Sequence, residues 1–166
     1  MSAAPGGCGA ASGWRPYADG MPVDVLTAIE IGRPRPEVAA FASDPDNATA
    51  WYQNIASVEW RTDPPVRVGS QVTFVARFLG RRLAYTYELL DLVPGSRLVM
   101  STWEGPFPME TTYTWEDTAS GGTRMTLRNR GEPSGFSRIA SPVLEQAMRR
   151  ANTKDLVRLK QLLERP

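Results

Sequence analysis

The chain has 166 residues, a formal net charge of +1, 42% hydrophobic and 22% charged residues, the length and balance of one ordinary globular domain. Histidine is absent and Cys8 is the single cysteine, so Ser-His-Asp and Cys-His catalysis and a disulfide framework are excluded, and no metal site or cofactor is expected. The near-neutral charge makes no case for nucleic acid or an acidic membrane surface. With no run of about 18 apolar residues and no signal-peptide pattern, a cytoplasmic protein without a membrane span is expected.

Residues 1–20 are rich in Gly, Ala and Ser without an apolar period, and read as a disordered tail before a single domain spanning 21–166. Met21 is an alternative start, and Trp14 and Tyr17 are the tail residues able to dock. Val23, Val25, Thr27, Ile29 and Ile31 alternate on one face and predict a strand, ended by Pro34 and Pro36. Pro36-Glu37 opens a short helix through Phe41. Ser43-Asp44-Pro45-Asp46 starts a second one that runs to Trp51 and Tyr52. Ile55 to Arg61 is a strand closed by Asp63-Pro64-Pro65.

From Gly69 the pattern is strands and tight turns. Alternating runs cover Val72–Phe78, Leu83–Leu89, Leu98–Trp103, Met109–Trp115 and Met125–Asn129, punctuated by Gly80, Pro94-Gly95, Gly105-Pro106, Gly121-Gly122 and Gly131. Strands 8–12 residues apart with short turns predict an antiparallel meander. Pro142 to Glu164 contains no further helix breaker and is rich in Leu, Ala, Arg, Glu, Gln and Met, which predicts a long helix. On a wheel of about 100° per residue, Leu144, Met148, Ala151, Leu159 and Leu162 form one stripe, with Arg149, Arg150, Lys160 and Glu164 away from it. The order β-α-α-β-β-β-β-β-β-α is an α+β layer fold with the long helix against the sheet.

Two polar residues interrupt the helix stripe, Asn152 at its edge and Asp155 near its centre. Either they face a polar-lined cavity, or the explanation is local. In the local account Asn-Thr-Lys-Asp lets the helix break and restart, or Asp155 pairs with Arg158. The sheet face turned to the helix carries Phe74, Phe78, Tyr85, Tyr87, Met109, Tyr113, Trp115, Met125 and Asn129, joined by Trp51 and Tyr52. A dry core favours Leu, Val and Ile. Aromatic walls with phenols and an amide are what a small-molecule pocket shows, and an aromatic core with buried waters shows them too. The parity of Leu98–Glu104 is ambiguous; if Glu104 points inward it is the best sheet carboxylate for acid/base work, beside Asp155. Glu88, Glu110 and Glu116 alternate outward, with Arg77, Arg124, Arg128 and Arg130 as cross-strand partners.

The element order, carried by Pro36-Glu37-Val38, Asp44 through Trp51, Val68-Gly69-Ser70, Leu92-Val93-Pro94-Gly95-Ser96-Arg97-Leu98, Gly122-Thr123-Arg124 and the closing Leu159-Lys160 to Leu163-Glu164, resembles the SRPBCC (START and pollen-allergen-like) superfamily. More narrowly it resembles the polyketide cyclase/dehydrase and lipid-transport branch. The resemblance covers about Val23 to Glu164 and implies a helix-grip fold: a seven-stranded antiparallel sheet curved around the C-terminal helix, with two short helices between strands 1 and 2. It also implies a hydrophobic cavity between sheet and helix, and it does not deliver a reaction.

Two functions follow as expectations. The first is binding of a hydrophobic, aromatic, polyketide-like or lipid-like small molecule, with Trp51, Tyr52, Phe74, Phe78, Tyr85, Tyr87, Tyr113, Trp115, Asn129, Met148 and Asn152 as ligand-binding residues. The second is a polyketide cyclase or dehydratase. There Asp155 or Glu104 is the base, Tyr85, Tyr87 or Tyr113 donates to the oxyanion, and Asn129 or Asn152 orients the substrate. A protein-interaction role such as chaperone activation requires an apolar outer sheet face, and the outward residues are mostly Thr, Glu and Arg. Monomer and homodimer both remain open.

Overall fold

Alternating apolar and polar residues are realised as seven strands in a computed structural model that describes residues 23–105, 107–132 and 141–166. The strands are β1 (Val23–Ile31), β2 (Ile55–Trp60), β3 (Gln71–Phe78), β4 (Arg81–Val93), β5 (Arg97–Glu104), β6 (Met109–Asp117) and β7 (Thr123–Gly131). Among the described residues three helices accompany them: α1 (Arg35–Ser43), α2 (Ala48–Trp51) and α3 (Ser141–Leu163), with a 3-10 turn at Pro45–Asn47 between the first two. The expected tail over residues 1–20, with Cys8, Trp14 and Tyr17, lies outside the described residues. Pro106 lies outside them as well.

The strands form one antiparallel sheet in the order β1-β7-β6-β5-β4-β3-β2. Every neighbour follows in sequence except β1, which joins β7 at the far edge in an unbroken register from Val23↔Gly131 to Ile31↔Thr123. With α3 gripped by the sheet and the two short helices between β1 and β2, this is the helix-grip fold. The short helices start where the local chemistry places them. Pro36 occupies the first turn of α1, and the Asp44 carboxylate accepts from the Asp46 amide at 3.0 Å to open the 3-10 turn.

Helix α3 is unbroken through Asn152-Thr153-Lys154-Asp155, which rules out a break and restart there. Its buried side chains are Leu144, Asn152, Asp155, Leu156, Leu159 and Leu163. That arc is centred nearer Leu159 than the sequence stripe, taking in Leu156 and Leu163 and moving Asn152 from the edge to the inside. Arg149 and Lys160 reach the free edge of the sheet and donate to the carbonyls of Leu26 and Glu30, each at 2.8 Å or less. They cover polar groups that an edge strand otherwise presents to a second chain.

The interior divides into two clusters. At one end Ile31, Val38, Trp115, Met125, Leu127, Leu156, Leu159 and Leu163 pack beneath α1 and the last turns of α3. At the other, Val25, Val72, Phe74, Leu83, Tyr85, Tyr87, Phe107 and Leu144 gather under the first turns of α3. Outside, Arg128 pairs with Asp24 at 2.5 Å and Arg130 with Glu110. Such exposed pairs contribute at most about 1 kcal/mol each.

Candidate functional site

The second cluster does not close. A cavity of ≈ 190 Å³ lies between the concave sheet face and α3, lined by residues from α2, β3, β4, β5, β6, β7 and α3. Strand alternation turns Phe74, Phe78, Leu83, Tyr85, Tyr87, Met100, Tyr113 and Asn129 toward it. Leu144, Met148, Asn152 and Asp155 project from α3 at helical spacing, and α2 supplies Trp51, with Tyr52 immediately after it. Aliphatic and aromatic side chains share the walls, and several of the rings meet in edge contact: Tyr85 with Phe107 at 5.7 Å and 78°, Phe74 with Tyr87 at 5.9 Å and 71°. Gly105 passes flat against one wall, where a Cβ would stand 2.7 Å from the Tyr85 ring.

Two polar groupings interrupt the walls. In the first, the hydroxyls of Tyr52 and Tyr113 share a hydrogen bond of 2.5 Å. Asp155 lies close enough that its charge raises the pKa of both phenols. Asp155 is 3% exposed, and its Oδ1 accepts from the Gln53 backbone N–H at 2.8 Å. Burial pushes its pKa up to about 6, against the opposing pull of that N–H, Arg158 and Lys154. Arg158 does not form an ion pair with Asp155; its Nε donates to the Ala50 carbonyl at 2.6 Å. Burial also holds the phenols of Tyr52, Tyr87 and Tyr113 well above the ordinary tyrosine range and that of Tyr85 up to about 12, so all four remain proton donors near neutrality.

The second grouping is a relay. The Thr111 hydroxyl donates to Asn129 Oδ1 at 2.8 Å. Asn129 Nδ2 then donates to Asn152 Oδ1 at 3.3 Å.

Two of the candidate residues are placed elsewhere. Glu104 is exposed and does not line the cavity. The register between β4 and β5 jumps from Tyr87↔Thr102 to Thr86↔Glu104, so Trp103 is an extra residue and the alternation reverses after it. Glu104 therefore shares the outer face with Thr86, whose hydroxyl bonds Thr73 there. Trp115 is on the inner face, but it pairs with Met125 at the end of the sheet that α1 and the C-terminal half of α3 cover. It is part of the dry cluster and not of the cavity wall. Conversely, Thr111 and Phe107 line the cavity without having been candidates. Thr111 stands in the same alternation as Tyr113, and that parity is the signal that would have found it. Phe107 sits in a connection with no period to mark it.

Among the described residues no group of three His, Cys, Asp or Glu side chains could hold a metal ion, and no helix is long and apolar enough to cross a membrane.

Comparison with known proteins adds the family. A family model described as polyketide cyclase / dehydrase and lipid transport matches residues 22–164. No curated protein matches the chain. The solved structure of the Zhui aromatase/cyclase from Streptomyces sp. R1128 is similar, with a TM-score of 0.73 at 16% identity over 87% of this chain and 95% of that one. A START superfamily protein from Mycobacterium smegmatis matches with a TM-score of 0.74 at 12% identity, covering 85% of this chain and 97% of that one. Ginseng major latex-like protein 151 from Panax ginseng matches at 0.68 and 13% identity, over 86% and 97%. At these identities the likeness is one of fold, and it agrees with the strand order and the gripped helix described above. The match along nearly the whole domain assigns the rest: the chain belongs to the polyketide cyclase/dehydrase and lipid-transport family of the SRPBCC superfamily.

Proposed function

We propose that the protein binds a hydrophobic small molecule of aromatic, polyketide-like or lipid-like character in the cavity between the sheet and α3. The observation that carries this is the cavity itself: aromatic and aliphatic walls with a few convergent polar groups, bordering a cluster of packed apolar side chains. The family supports the same reading, since it is a hydrophobic-ligand-binding type of fold. The test is native mass spectrometry of the protein purified from its own host, with extraction of any bound molecule, together with titration by the neutral apolar dye 1-aminoanthracene. A stoichiometric apolar ligand and saturable dye binding support the proposal. An empty protein that leaves the dye in water refutes it.

One observation favours a second reading, cyclisation with loss of water. Asp155, with a pKa near 6, faces the cavity beside the Tyr52–Tyr113 pair, a base and a proton donor within one site. The Asp155 carboxylate would take the proton from a carbon between two carbonyls. The enolate carbon would then bond to a distant carbonyl carbon, whose oxygen takes a proton from the tyrosine pair and becomes a hydroxyl, while Asp155 returns its proton to that pair. The Asp155 carboxylate would next remove the second hydrogen of the same carbon as a C=C bond forms, and the hydroxyl would leave as water with a further proton from the tyrosine pair, which Asp155 again restores. Incubation of the extracted molecule with the protein decides it. A product lighter by one water, formed by wild type and not by Asp155→Asn, supports catalysis. An unchanged molecule leaves binding as the function.

A further inference from the structure

Asn152 is 6% exposed and lines the cavity, and its Nδ2 has no hydrogen-bond partner among the described residues. The amide is held in its orientation by the relay behind it. The Thr111 hydrogen is committed to Asn129 Oδ1, and the Asn129 amide is committed to Asn152 Oδ1. Each link therefore donates toward α3, and the relay ends on an N–H donor at the cavity wall, polarised by the bonds upstream. A buried amide left unpaired costs free energy. Among the described residues, Trp51 Nε1 and Trp115 Nε1 are the other buried side-chain atoms without a partner. The Trp51 ring lies tilted by 31° against Tyr52, centroids 3.9 Å apart, and Trp115 does not line the cavity.

One turn along α3, Asp155 lines the same wall. A carboxylate on the ligand would meet that acid at close range, whereas a neutral oxygen would not be repelled. Resting on the reading that the cavity is a ligand pocket, we propose that Asn152 is an anchoring residue for a neutral carbonyl oxygen. The preferred ligand is then an apolar ketone, quinone or ester, neither a plain hydrocarbon nor a carboxylate.

Three probes of nearly one shape separate the alternatives: 2-acetylnaphthalene, 2-isopropenylnaphthalene, in which a methylene replaces the oxygen, and 2-naphthoate. Their affinities are read at pH 8 by displacement of 1-aminoanthracene. The expected result is that the ketone binds about fivefold or more tighter than either of the others, and that Asn152→Leu brings ketone and alkene within about twofold. A second readout needs no variant. The carbonyl stretch of bound 2-acetylnaphthalene should fall below its value in hexane in the wild-type protein, as it does on accepting a hydrogen bond. Three outcomes overturn the anchor while leaving the pocket intact: equal affinities for ketone and alkene, naphthoate binding as tightly as the ketone, or an unshifted stretch. Failure of all three probes and of the dye to bind overturns the pocket reading, and the anchor with it.

Discussion

Asp155→Asn isolates the free energy stored in one buried acid. The folded-state pKa of about 6 lies above the ordinary value of 3.8 because burial disfavours the charge. Below the lower value both folded and unfolded chains hold the proton and the residue has no pH-dependent effect. As the pH rises between the two values the unfolded chain gives up its proton first, and stability is lost through that window. The gap of roughly 2 pKa units corresponds to about 3 kcal/mol by pH 8 and about half of that at pH 5. Asparagine keeps an oxygen to accept from the Gln53 N–H and never ionises. The variant should therefore match wild type near pH 3.5 and exceed it by about 2–3 kcal/mol at pH 8, a rise in Tm of roughly 4–12 °C for a domain of this size. Urea unfolding of both proteins from pH 3.5 to 8 measures the difference directly, and subtracting the two curves removes every other titrating group. Parallel curves across that range would show that the acid does not feel its burial, and the argument for a poised base would go with it.

Three further substitutions test the architecture. Met148→Trp places a large ring in the cavity from a half-buried position on α3; it should weaken 1-aminoanthracene binding at least about tenfold while shifting Tm by under about 3 °C. Leu159→Ala empties a site in the dry cluster with no exposed surface and should cost about 2–5 kcal/mol in urea unfolding. Gly131→Ala would set a Cβ 2.5 Å from the Pro108 carbonyl oxygen; the overlap should cost about 1–3 kcal/mol, and a Tm equal to wild type would show that the neighbouring segment gives way freely.

The strands and the long helix were legible because each carries its own period, and the punctuation by Gly and Pro set their ends. The residues facing the cavity were legible wherever that period ran undisturbed, as from Tyr85 to Tyr87. It failed at Glu104, because the extra residue at Trp103 is a property of the pairing between β4 and β5 and not of either strand alone. Trp115 failed differently. Parity told its face correctly, but whether a residue on that face meets ligand space or packed side chains depends on where α1 and α3 cross the sheet. The same limit applied to Asn152, since a helical wheel gives angles around an axis without saying which angle the sheet will meet. The relay through Thr111 was invisible for a further reason: hydrogen bonds between strands and a helix far apart in sequence leave no local pattern.

The pairing of β1 with β7 also orders events during synthesis. Thr27 donates to a carbonyl 100 residues further along the chain, so at about 5–20 residues per second the first strand waits roughly 5–20 s for the strand it pairs with. The basic residues that shield its other edge, Arg149 and Lys160, emerge later still. Throughout that interval the meander from β2 to β6 can zip by local turns, while β1 trails with both edges unclaimed. The strand that completes the sheet is thus the first made and the last placed, and on the ribosome it is the segment most open to capture by another chain.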